Sequence, residues 1–166
     1  MSRTFSLRTV QNLPISLAEA WDFFSRPDNL VRITPPGMGF SIRSHHHGDR
    51  MYPGQLIEYT VTPFPGMPLY WMTEITHVSE PFYFVDEQRF GPYALWHHQH
   101  HFREREGGVE MTDIVHYRLP FGIFGALGGS FVRKKLDAIF RHRYDVTTQL
   151  FGAWPEQSCS IRFFRS

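Results

Sequence analysis

Apolar positions along the chain change period twice. Arg3 to Val10 alternates weakly between apolar and polar residues, the pattern of a half-buried strand. At Ser16 the spacing turns helical: Leu17, Trp21 and Phe24 fall on one side, Ser16 and Glu19 have capping-box spacing, and Pro27 closes the run. Asp28 to Ile33 predicts a second short helix, stopped by Pro35-Pro36. From Phe40 to Leu119 the two-residue period returns. It predicts strands over Phe40–Ser44, Gly54–Thr62, Leu69–Val78, Phe82–Gln88, Tyr93–Arg103 and Val109–Leu119. The breaks between them carry proline and glycine, and connections this short favour antiparallel neighbours.

Past the glycine-rich stretch from Pro120 to Gly129 the period is helical again. Val132, Leu136, Ile139, Phe140, Tyr144, Thr147 and Leu150 mark one side of a helix of about 20 residues. The order is therefore β-αα-ββββββ-α, an α+β domain over 1–152. The segment 153–166 follows as a tail, with Ser160–Phe164 able to add a strand or stay loose. A curved antiparallel sheet and one long amphipathic helix bury their apolar faces against each other, enclosing a space between them.

Strand parity sorts the side chains into two faces. In ALWHHQHHF, the even positions Trp96, His98, His100 and Phe102 predict the inward face, and His97 and His101 the outward one. The same reading turns Phe82, Phe84, Asp86, Gln88 and Phe90 inward on one strand. It does so for Met111, Asp113, Val115, Tyr117 and Leu119 on another, and for Leu69, Trp71, Thr73 and Ile75 on a third, with Glu74 outward. Each strand thus brings one or two polar groups into an apolar wall. A buried carboxylate needs donors, which makes the histidines, Gln88 and Tyr117 the expected partners of Asp86 and Asp113.

Composition narrows the functions. The chain of 166 residues is long enough to bury an ordinary core, and its one cysteine, Cys159, excludes an intrachain disulfide. Seventeen basic against sixteen acidic residues give +1, without the positive field that tracks phosphates, so no nucleic-acid partner is expected. The local cluster Arg133, Lys134, Lys135, Arg141 and Arg143 reads as a solvated helix face. The N-terminus lacks a signal-like apolar run, and PFGIFGALGGSFV is too short and glycine-broken to span a bilayer. No stable membrane insertion and a cytoplasmic location are therefore expected. Sixteen Phe, seven Tyr and four Trp are more rings than a core of this size needs, and rings also line pockets for flat or apolar ligands.

The segments AWDFFSRPDNLVRITPP, MYPGQLIEYTV, WMTEITHV, FVDEQRFGPYALWHHQHHF and TDIVHYRLPFG resemble the START-like (SRPBCC) superfamily, in particular its polyketide cyclase/dehydrase-like bacterial branch. The resemblance extends over essentially the whole chain. It implies a helix-grip fold, a sheet of six or seven strands wrapped around the long C-terminal helix, and an internal cavity for an apolar or aromatic small molecule of lipid, polyketide or quinone type. Three functions follow from it. One is ligand binding by Trp71, Thr73, Phe84, Asp86, Gln88, Trp96, His98, His100, Asp113, Tyr117 and Phe140. Another is a cyclase or dehydratase using His98, His100, Asp86 and Asp113 for acid–base steps. The last is a partner domain without ligand, in which the polar residues only satisfy one another.

His98 and His100 also have the two-residue spacing of metal ligands on a strand, with Asp86 or Asp113 as a third ligand to be conjectured. With no further recognisable motif, no metal and no cofactor are expected. His45-His46-His47, beside Gly48-Asp49, reads as a loop.

Overall fold

A computed structural model describes residues 4–44, 48–64, 66–120 and 129–165. His45-His46-His47 and most of the glycine-rich segment before the long helix lie outside the described residues. The elements are β1 (Thr4–Leu13), α1 (Leu17–Phe24), α2 (Pro27–Arg32), a 3-10 turn (Pro36–Met38), β2 (Ser41–Ile42), β3 (Gln55–Phe64) and β4 (Met67–Ser79). They continue with β5 (Tyr83–Phe90), β6 (Leu95–Arg105), β7 (Gly108–Arg118), α3 (Gly129–Phe151) and β8 (Ile161–Arg165). All strands form one antiparallel sheet in the order β2-β3-β4-β5-β6-β7-β1-β8. This is a helix-grip fold with eight strands against the expected six or seven; the eighth lies in the tail, where Ile161–Arg165 pairs with Phe5–Thr9 of β1.

Local chemistry sets the helix starts. Ser16 accepts from the Glu19 backbone N–H, and the Glu19 carboxylate accepts from the Ser16 N–H at 2.9 Å, the reciprocal capping expected from the spacing. Pro27 starts α2 at its first position, where a missing N–H costs nothing; α1 has already ended at Phe24.

Three apolar clusters surround a central space. Trp21 and Phe24 of α1 press on Phe84 and Phe102 of the sheet, with Trp21 meeting both rings edge-on at 6.0 Å. Leu136 and Phe140 of α3 pack with Leu7, Val115, Tyr117 and Leu119. Ile57, Tyr59 and Ile75 make the third. Burial of each such side chain contributes about 1.5–3 kcal/mol.

A polar clamp seats α3 on β1. Thr147, fully buried, donates to Gln11 Oε1 at 2.9 Å, while Gln11 Nε2 donates to the Tyr144 carbonyl and to Thr148 Oγ1, each at 3.2 Å. Leu136, Phe140, Arg143 and Thr147 share one buried stripe of the helix. Arg143 is therefore not part of a solvated face; it sits on the same side as the core residues, at intervals of four, three and four positions.

Candidate functional site

The clusters leave a cavity of about 490 Å³ between the sheet and α3. Trp71, Trp96, Tyr93, Phe84 and Phe140 supply much of its wall, and Asp86, His98, His100 and Arg143 form its polar end. Of the residues expected in it, Trp71, Thr73, Phe84, Asp86, Trp96, His98, His100 and Phe140 line the space. Gln88, Asp113 and Tyr117 do not.

Each of those three departures has a local cause. β6 pairs with β5 only as far as Glu87, so Gln88 lies beyond the β5–β6 ladder, next to the turn. Its side chain clamps that turn, donating to the Tyr93 carbonyl at 2.7 Å and accepting from the Tyr93 N–H at 3.2 Å. Gly91 leaves room for this clamp, since a Cβ there would displace the Gln88 side chain. Phe90 and Phe82, on the predicted inward face, are exposed at the two ends of this strand. Tyr117 is buried but stacks on Phe5 and meets Tyr93 edge-on, so Tyr93 faces the cavity instead.

Asp113 stands behind the histidines. β6 pairs His98 with Asp86 and with Val115, and His100 with Asp113, so two carboxylates flank two adjacent imidazoles tilted by 36°. The His98 and His100 ring centroids are 3.7 Å apart, and His100 stacks on Phe84 at 4.1 Å. Asp113 Oδ1 lies 2.9 Å from His98 Nε2 and 2.9 Å from His100 Nδ1. On the other side His100 Nε2 donates to Asp86 Oδ2 at 2.8 Å, while His98 Nδ1 stands 3.5 Å from the same oxygen. Arg143 reaches Asp113 Oδ1 at 3.5 Å, and Thr9 donates to Asp113 Oδ2 at 3.4 Å.

This geometry sets the charges. The His98 pKa is pushed down to about 4 by burial and by the charge of His100 alongside. For His100, burial alone would lower the pKa, but hydrogen bonds to Asp113 and Asp86 outweigh it and raise it. Burial opposes ionisation of Asp113 too, yet hydrogen bonds from His100 and His98 and the charge of Arg143 hold it well below the usual carboxylate range. Asp86 is likewise held low against burial, by His98, His100 and Arg143. At neutral pH His98 is therefore a neutral base, and beside it His100 holds its proton more tightly than a free imidazole does, between two carboxylates and the Arg143 guanidinium.

Arg143 departs from the solvent-facing expectation for the basic cluster of α3. Its membership of the stripe with Leu136 and Phe140 was the available signal. Arg143 is 8% exposed, lies over the Phe140 ring at 5.0 Å, and among the described residues its buried Nε has no hydrogen-bond partner.

The outward histidines form a separate row. His97 Nδ1 meets Glu87 Oε1 at 2.7 Å, and His101 Nε2 meets Gln99 Oε1 at 2.9 Å. An imidazole-acylating reagent should modify His97 and His101 well before His98 and His100, whose side chains are 5% and 9% exposed. Peptide mapping that finds the reverse order would mean that β6 is out of register by one residue.

No protein-family model matches the chain, and no curated protein does. Solved structures share its fold. CV1439 from Chromobacterium violaceum superposes with a TM-score of 0.66 at 14% identity, covering 90% of this chain and 98% of its own. Ara h 8.0201 gives 0.60 at 14% identity over 88% and 99%. A nucleoside-diphosphate sugar epimerase from Corynebacterium glutamicum gives 0.61 at 20% identity; the match spans 86% of this chain but 28% of that one. Among the described residues no helix is long and apolar enough to cross a membrane.

Proposed function

We propose that the protein binds an apolar or aromatic small molecule bearing an oxygen at one end. The observation that carries this reading is the cavity of about 490 Å³, lined mostly by rings and aliphatic side chains, with Asp86, His98, His100 and Arg143 gathered in one polar cluster on its wall. That volume falls in the range of small-molecule sites, where apolar walls supply affinity and a few polar groups fix orientation. Within that cluster Arg143 lines the cavity, and its guanidinium is a donor suited to a carbonyl, phenolate or carboxylate oxygen. His98 and His100 add their ring edges beside it. Lipid, polyketide and quinone bodies all match this distribution of polarity.

Native mass spectrometry of freshly purified protein tests the reading directly, through a co-purifying mass that leaves on denaturation. Trp71 and Trp96 on the cavity wall provide a fluorescence signal for titration with 1-anilinonaphthalene-8-sulfonate. Replacing His98 or His100 with leucine should weaken a hydrogen-bonding ligand roughly tenfold or more, about 1.4 kcal/mol. Variants that only melt earlier, in a protein that never retains a ligand or the probe, would leave the histidines as a core network.

A second reading, acid–base catalysis in the same cavity, draws on the neutral His98 beside His100, whose hydrogen bonds to Asp113 and Asp86 raise its affinity for a proton. It separates cleanly from binding: His98→Gln would abolish turnover of a bound compound while leaving its affinity nearly unchanged. The partner-domain reading draws on the epimerase, in which a segment of this fold belongs to a longer chain.

A further inference from the structure

We propose that Asp86, His98 and His100 bind a divalent transition-metal ion at the polar end of the cavity. The inference is independent of the apolar ligand and stands or falls without it. The sequence left the third ligand to conjecture, and that was the reason to expect no metal. The fold supplies it: Asp86, His98 and His100 each offer a ligand atom, all within 4.8 Å of one another.

The distances suit an ion. Bonds of about 2.0–2.2 Å to imidazole and carboxylate, at angles between octahedral and tetrahedral, place neighbouring ligand atoms roughly 3.0–3.5 Å apart. Asp86 Oδ2 lies 2.8 Å from His100 Nε2 and 3.5 Å from His98 Nδ1, so small side-chain movements admit the metal. The ion takes the place of the proton that His100 Nε2 now donates to Asp86.

The stronger argument is what stands on the far side of both rings. A metal-bound histidine characteristically gives its other N–H to a carboxylate, which fixes the tautomer and turns the remaining lone pair to the ion. Here one oxygen, Asp113 Oδ1, stands 2.9 Å from His98 Nε2 and 2.9 Å from His100 Nδ1. Donation to it leaves His98 Nδ1 and His100 Nε2 as the free lone pairs, and these are the nitrogens that face Asp86. Thr9 and Arg143 hold Asp113 from its outer side.

Two imidazoles and one carboxylate suit zinc or ferrous iron and leave coordination positions open toward the cavity. With both imidazoles neutral, two carboxylates against one guanidinium and a divalent ion leave a single positive charge. That excess favours an anionic oxygen, hydroxide or ligand, at an open position.

The test uses the full-length protein with His45, His46 and His47 replaced by alanine, which removes the sequence run best able to capture metal adventitiously. Cobalt(II) should bind one equivalent and give visible ligand-field bands that zinc displaces. The bands should vanish in His98→Ala, His100→Ala and Asp86→Ala and persist in His97→Ala. Asp113→Asn should weaken binding about 10–100-fold while keeping the bands. Absence of bands in the parent, or bands that survive His98→Ala, would overturn the site. If the alanine variants do not fold, histidine ring-nitrogen NMR of the parent with zinc decides. Shifts at His98 Nδ1 and His100 Nε2 support the site, and unmoved resonances there refute it. Loss of apolar-probe binding with these bands intact would count against the ligand reading alone.

Discussion

Asp113→Ala should cost about 3–5 kcal/mol of folding stability, measured by urea denaturation of the metal-free protein. Asp113 is 1% exposed, and four side chains converge on it from three elements: Thr9 of β1, His98 and His100 of β6, and Arg143 of α3. Alanine leaves two imidazole N–H groups and a buried guanidinium facing a void. Most of that cost is orphaned charge rather than lost attraction, which yields a sign test. Asp113→Leu combined with Arg143→Met removes the carboxylate together with its cation, and should be more stable than Asp113→Leu alone. A double variant less stable than the single would show that Arg143 is held by something other than Asp113. His101→Ala, on the outer face of the same strand, should stay within about 0.5 kcal/mol of the parent.

The pH profile is the other large effect. His98 is held neutral, with a pKa of about 4 against 6.5 unfolded, so its contribution is complete above pH 6.5 and is lost as the pH falls toward 4. One pH unit of displacement corresponds to about 1.4 kcal/mol, so this residue alone accounts for about 3–4 kcal/mol. Asp86 and Asp113 are held low; their contributions are present above their unfolded pKa near 3.8 and disappear as the pH falls further. His100 runs the other way: raised above 6.5, it contributes fully below that pH and loses its contribution on the alkaline side. Stability of the metal-free protein should therefore peak near pH 6.5, with the steeper fall toward acid. Urea midpoints between pH 4 and 9 that rise monotonically toward acid would contradict the neutral state of His98.

Much of this site is legible in strand parity. The alternation in WHHQHHF places His98 and His100 inside because one face of β6 is buried against rings and the other is not, a contrast a sequence records directly. Asp86 follows from the same rule because β5 pairs with β6 along the stretch that contains it. Parity fails at Gln88 and Phe90 for a reason it cannot register: β6 no longer accompanies the strand there, and the side chains answer to the turn instead. Arg143, on a helix, lies outside that rule; a charged side chain ordinarily faces solvent, and the Asp113 carboxylate of a distant strand makes its buried position tolerable. The cyclic arrangement, in which each histidine spans both carboxylates, depends on the register of three strands at once and has no local signature. The eighth strand is short and ambiguous alone, and exists because β1 offers it an open edge.

The ends of the strand order bear on how the protein behaves in concentrated solution. A sheet that is not closed into a barrel presents two rows of unpaired amides, and such rows recruit further chains. Here one margin is the two-residue β2, behind which β3 carries Pro63, a residue with no N–H to offer. The other is β8, only five residues long and carrying the charges of Arg162 and Arg165. Neither margin is a good template for a neighbouring copy. The short tail thereby acts as a hem on the sheet, guarding the molecule against the filaments that a bare β1 would invite.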